Sequence, residues 1–181
     1  MIRTRKLQIG VMGSMADLQY SEKIERLAFD IGKYIAQSGN IVVYGAEKDS
    51  DSLSTSSARG AKSVGGLIVG VTYGKGKEIW AKDGLTDVIV VTGMERGGGR
   101  EFVLVNSCDA IIIISGGSGT LTEIAIAYQM NIPVVVLTGT GGWADKLAGQ
   151  YLDERKRLKI EAVSTPEEAI NRVLELVNQR W

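Results

Sequence analysis

Residues 113–127 read IISGGSGTLTEIAIA, a row of isoleucines that runs through a glycine cluster straight into a helix-like stretch. The isoleucines belong to AIIII, residues 110–114, which is continuously apolar, as expected of a strand covered by helices on both faces. SGGSGT, residues 115–120, then bends the chain. Glycines let backbone amides approach an anion, and the first turn of the next helix adds unsatisfied N–H groups and partial positive charge. Strand, glycine bend and helix start therefore make a candidate phosphate cradle. A second reading needs no ligand: Thr120 followed three residues later by Glu123 has the spacing of a capping box, and a strand-to-helix turn is glycine-rich for its own reasons.

Working outward, apolar runs of strand length alternate with amphipathic stretches of helical length. Strands are predicted at 7–12, 41–44 (IVVY), 67–72 (LIVGVT), 87–92 (DVIVVT), 110–114 and 133–138 (PVVVLT). Ile24, Leu27, Ala28, Ile31 and Ile35 recur at three- and four-residue spacing, which predicts a helix within 20–38. SLSTSSARGAKSVGG, residues 52–66, reads as a small-residue helix packed closely on the sheet. Thr165, Pro166 and Glu168 mark the start of a final amphipathic helix. The pattern predicts an α/β fold: a doubly wound, Rossmann-like, mostly parallel sheet with helices on both faces, in one domain spanning 1–181.

Composition narrows the chemistry. Twenty-one Lys plus Arg balance twenty-one Asp plus Glu, so no basic excess points to nucleic acid or an anionic membrane. A specific small ligand fits that balance better, and the glycine cradle makes a phosphorylated small molecule the candidate. The first apolar run, LQIGVM, is too short for a secretion signal or a membrane span, so a cytoplasmic protein is expected. One cysteine, Cys108, excludes an intramolecular disulfide and reads as a small buried hydrophobe. The chain has no histidine, which removes Ser-His and Cys-His nucleophiles and histidine-held metals. No metal site is expected, and chemistry must come from carboxylates, arginine, backbone amides or bound water.

Ligands of open parallel sheets collect beyond the carboxyl ends of the strands. The loops there are GSMAD (13–17), GAEKDSD (45–51), GMERGGGR (93–100) and SGGSGT (115–120). They supply the candidate ligand-binding residues Gly13, Ser14, Gly45, Gly93, Met94, Gly116, Gly117, Ser118, Gly119 and Thr120. Trp80 and Trp143 offer rings for stacking, although core or interface packing is the commoner use of tryptophan.

REFVLVNSCDAIIIISGGSGTLTEIAIA, residues 100–127, resembles the motif region of the Lonely Guy cytokinin-activating phosphoribohydrolases and their relatives, the lysine-decarboxylase-like and molybdenum-cofactor carrier proteins. Arg100 and Asp109 stand nine residues apart as in that superfamily, and Gly116, Gly117, Gly119, Thr120 and Glu123 match its PGGxGTxxE, with Ser115 in place of the proline. TGTGGW, residues 138–143, is similar to the carrier-like branch. The resemblance implies Arg100 and Glu123 as catalytic residues in hydrolysis of the N-glycosidic bond of a nucleoside 5'-monophosphate, with no required cofactor. It equally implies an alternative, a non-catalytic carrier with a bound nucleotide or a pterin of the molybdenum-cofactor kind. It further implies a homodimer or higher homo-oligomer.

The sequence departs from the hydrolase pattern at two places. Glu101 stands where the hydrolases carry lysine, and Glu47, Asp49 and Asp51 stand where their second glycine turn lies. Acidic side chains there disfavour a phosphate unless they turn out to solvent. A dinucleotide-binding oxidoreductase ranks last: GVMGSM lacks the GxGxxG spacing, and Glu47 lies 34 positions beyond Gly13, against about 20 in that fingerprint.

Overall fold

The computed structural model describes residues 5–81 and 84–179. Its seven strands are β1 (Gln8–Gly13), β2 (Ile41–Gly45), β3 (Ile68–Thr72), β4 (Val88–Val91), β5 (Ala110–Ile114), β6 (Val134–Leu137) and β7 (Glu161–Val163). They form one sheet in the order β4-β3-β2-β1-β5-β6-β7, with every neighbouring pair parallel. The predicted doubly wound architecture is the one observed.

Five α-helices connect strands, α1 (Glu22–Gln37), α2 (Leu53–Lys62), α3 (Arg100–Asn106), α4 (Ser118–Gln129) and α5 (Gly142–Leu147), and α6 (Pro166–Asn178) follows β7. The two-residue alternation of strands divides the interior into two cores. Ala110, Ile112 and Ile114 of β5 join Ile9, Val11, Val42 and Tyr44 in a layer closed by α1, α2 and α6. Ile111 and Ile113 face the other way, with Val43, Val134 and Val136, against Leu104 of α3, Ile124 of α4 and Ala144 of α5. This two-sided cover is why the strands read as unbroken apolar runs.

The helix starts follow local chemistry. Ser21 and Ser52 cap α1 and α2, each accepting an amide three residues on. Thr165 and Glu168 form the expected capping box of α6, with Pro166 in its first turn. The Thr120–Glu123 box does not form. Left-handed backbone at Ser115 (φ 56°) and Gly116 (φ 105°) turns the chain early, so Gly117 is the N-cap of α4 and Thr120 lies inside its first turn. Pro133 stands just ahead of β6, where its carbonyl accepts from the Ile111 amide at 2.9 Å. The small-residue helix, α2, packs hard against α1: a Cβ on Gly32 would lie 1.7 Å from the Ser57 carbonyl oxygen. Among the described residues no helix is long and apolar enough to cross a membrane.

Candidate functional site

Strand order reverses between β1 and β5, where Gly13 pairs with Ile114 as the last rung. Beyond that rung lies a cleft of about 470 Å³ built from four segments. Gly13 ends β1, Ser14, Met15, Asp17 and Leu18 follow it, and Glu47 follows β2. Arg96, Gly97, Arg100 and Glu101 come from the β4–α3 passage. Residues Gly117 to Thr120, with Thr122 and Glu123, come from the start of α4. The crevice at the switch point is where a fold of this kind gathers ligands.

Of the residues singled out in the sequence, Gly13, Ser14, Arg100, Gly117, Ser118, Gly119, Thr120 and Glu123 converge on the cleft, and Gly45, Gly93, Met94 and Gly116 do not line it. Gly45 backs Arg100, since a Cβ there would lie 2.1 Å from Nη1. Gly116 makes room for the Thr120 side chain, 2.5 Å from where its Cβ would be. Gly93 and Met94 instead exchange backbone hydrogen bonds with Gly74 (3.1 and 2.8 Å). Asp109 sits at the opposite end of the sheet, where its carboxylate accepts from Arg5 (2.5 and 2.7 Å) and from the Gln8 amide (2.8 Å). The nine-residue spacing from Arg100 therefore reflects the passage of α3 back to the start of β5.

The glycine bend is braced on both sides. Ser14 Oγ accepts the Gly116 amide at 2.9 Å and donates to Ser115 Oγ at 3.0 Å. The Ser115 amide donates to Thr140 Oγ1 at 2.9 Å, and the amides of Trp143 and Ala144 donate to the carbonyls of Gly116 and Ser115. The TGTGGW stretch thus supports the bend from beneath. The first α4 amide that bonds backward is Leu121, to the Gly117 carbonyl at 3.1 Å. No side chain caps the helix, so the amides of Ser118, Gly119 and Thr120 have no intrahelical acceptor. Nothing lies within 4 Å of the place where a Gly119 Cβ would stand.

The acidic turn after β2 behaves differently at each position. Asp49 is exposed and accepts from the Tyr73 hydroxyl, while Asp51 pairs with Arg59 at 2.7 Å. Glu47 does not turn out to solvent: it points inward and is buried. Its Oε1 accepts from Arg100 Nη2 at 2.6 Å and its Oε2 from Arg96 Nη1 at 3.4 Å. Glu101 lies 3.6 Å from Arg100 Nε and accepts the Gly97 amide at 2.9 Å. Arg100 is only 4 % exposed. The guanidinium is enclosed between two carboxylates, and its Nε and Nη1 have no hydrogen-bond partner among the described residues.

Glu123 is 8 % exposed and makes no hydrogen bond or ion pair among the described residues. Burial pushes its carboxyl up to about 8; Arg100 pulls against this, and Glu101 and Glu47 push with it. It therefore stands in the cleft as a neutral acid at pH 7, able to donate a hydrogen bond. Among the described residues no group of three or more His, Cys, Asp or Glu is placed to hold a metal ion. Arg96, Met15, Asp17 and Glu47 line the cleft without having been singled out as ligand-binding residues. Their signal was present only as positions inside glycine- and acid-rich loops.

A protein of Archaeoglobus fulgidus is 36 % identical over 123 residues, 68 % of this chain and 74 % of that protein. The solved structure of the molybdenum cofactor binding protein from the phototrophic bacterium Rippkaea orientalis matches with a TM-score of 0.80 at 25 % identity, over 97 % of this chain and 99 % of that one. The molybdenum cofactor carrier protein from Chlamydomonas reinhardtii matches with a TM-score of 0.78 at 30 % identity, over 96 % of this chain and 99 % of that one. These likenesses bear out the resemblance to the Lonely Guy and carrier-protein superfamily. Residues 6–170 match the family's sequence pattern, and the chain belongs to the SLOG cluster4 family.

Proposed function

We propose that this protein binds and carries a phosphorylated pterin of the molybdenum-cofactor kind in the cleft between β1 and β5, without transforming it. The observation that carries this reading is the enclosure of Arg100. A guanidinium held at 2.6 Å by Glu47 and flanked by Glu101 at 3.6 Å has its charge already offset by two carboxylates, which weakens its power to neutralise a leaving group. The cradle beside it keeps what holding requires: open space at Gly119 and three amides at the start of α4. The ligand's phosphate would meet those amides, and Glu123 would donate to a carbonyl or ring nitrogen. The metal would be carried by the organic part of the cofactor, since the described residues present no ligand set for it. The likeness to the two molybdenum-cofactor proteins supports the same reading.

The hydrolase reading keeps one observation in its favour: a proton-bearing Glu123 lining the cleft has the form of a general acid for a departing base. One experiment separates the two. The purified protein is loaded with molybdenum cofactor, passed over a desalting column and tested for transfer to a cofactor-free molybdoenzyme; in parallel it is given a panel of nucleoside 5'-monophosphates and assayed for ribose 5-phosphate. Retention and transfer without ribose 5-phosphate is expected. Turnover that disappears in Glu123→Gln and Arg100→Ala would replace the carrier by a phosphoribohydrolase. Light scattering of the same sample tests the homodimer.

A further inference from the structure

We infer that Arg96 is the residue that receives the ligand's anionic group, leaving Glu47 and Asp49 to do so. The inference rests on the proposal that the cleft takes a phosphorylated small molecule, and it begins from the charges there. Among the described residues, Asp17, Glu47, Glu101 and Glu123 line the cleft with two cations, Arg96 and Arg100. Arg100 is buried and enclosed. Arg96 is 41 % exposed and is, of these two, the cation with a face open to an incoming anion.

Its contacts are those of a side chain at rest between partners. Arg96 Nη1 lies 3.4 Å from Glu47 Oε2, and Nη2 lies 3.8 Å from Asp49. Both are long beside the 2.6 Å bond from Arg100 to the same Glu47. When Arg96 leaves, Glu47 keeps its stronger partner, so the exchange strands no buried charge. The guanidinium stacks over the Tyr73 ring at 5.0 Å, and Nη1 also approaches Met15 Sδ at 3.1 Å. Arg96 thereby spans from the β4–α3 loop to the segment after β1 that forms the other wall of the cleft. A phosphate offers the planar fork two oxygens at once, a better match than two distant carboxylates. The backbone beside it is suited to the movement: Gly97 (φ 68°) and Gly99 (φ 124°) lie in the region that glycine enters freely.

The test compares wild type, Arg96→Gln and Arg96→Lys against three probes: inorganic phosphate followed by phosphorus NMR, molybdenum cofactor followed by retention, and a phosphate-free pterin followed by fluorescence. Arg96→Gln should weaken phosphate and cofactor by about ten- to a hundredfold, the scale of one charge-assisted hydrogen-bonded contact. It should leave the phosphate-free pterin unaffected, and Arg96→Lys should recover part of the loss. Phosphate affinity unchanged in Arg96→Gln, no phosphate binding by wild type, or an equal loss for the phosphate-free pterin would each overturn the inference. Phosphate bound through Arg96 by a protein that fails to retain molybdenum cofactor would uphold the inference and remove the carrier reading.

Discussion

Gly119 separates folding from binding more cleanly than any other residue of the cradle. Its missing side chain leaves open space beside the cleft, and it lies in the first turn of α4, where a side chain costs the helix nothing. Gly119→Val should therefore keep the melting temperature of wild type or raise it slightly while abolishing ligand retention; melting curves and a loading assay on one preparation check both. Gly117 is a poorer probe, because its Cβ would press on Leu18 Cδ1 at 3.0 Å. Glu123 makes a second residue-scale prediction. Its folded pKa, about 8, stands above the ordinary 4.5, so the folded chain keeps a proton that the unfolded chain releases. The stability tied to that proton is complete below about pH 4.5 and is lost as pH rises through about 8. Denaturant titrations at pH 5 and pH 8 should show wild type losing on the order of a few kcal/mol relative to Glu123→Gln, whose neutral amide does not titrate. The glycines and Glu123 were legible in the sequence because the motif is local. The roles of Glu47 and Arg96 were not, because their pairings join positions 49 and 53 residues apart and no local spacing encodes them.

Between elements, the tightest contact is the crossing of α1 and α2. A Cβ on Gly60 would lie 1.8 Å from the Phe29 carbonyl oxygen, the mirror of the Gly32–Ser57 approach. Helix backbones this close admit no methyl group between them, so Gly60→Ala should destabilise the fold by about 1–3 kcal/mol or more, despite the better helix propensity of alanine. A lowered denaturation midpoint at unchanged denaturant slope would report it. The small residues of 52–66 correctly announced the packing of α2 on the sheet, where it meets β1, β2 and β3, but not its still closer approach to α1, since a small side chain reports proximity without saying to what. Three elements gave no readable signal: α3 and α5 span seven and six residues, and β7 only three. At those lengths a period has no room to repeat, and tertiary contacts decide the conformation.

Across the whole molecule, the alternation inside each strand fixes two cores at once, and the order β4-β3-β2-β1-β5-β6-β7 puts the reversal at β1 and β5. Parallel strands joined by right-handed crossovers leave few such orders open, which is why the architecture could be read from apolar runs alone. The sequence placed the glycine loops at the strand ends but not which of them share a wall; that depends on the strand order, which sets GSMAD beside SGGSGT and leaves Gly93 and Met94 on a neighbouring turn. The join at the reversal has a consequence in time. Ser14 and Ser115, whose hydroxyls meet across it, are 101 residues apart, on the order of 5–20 s of synthesis at typical ribosomal speed. The first four strands can pair as they emerge, yet a half-made chain owns only one wall of the cleft. On the binding role proposed above, full capture therefore waits for the start of α4, and a chain truncated ahead of it would keep Arg96 but lack the amides of Ser118 to Thr120.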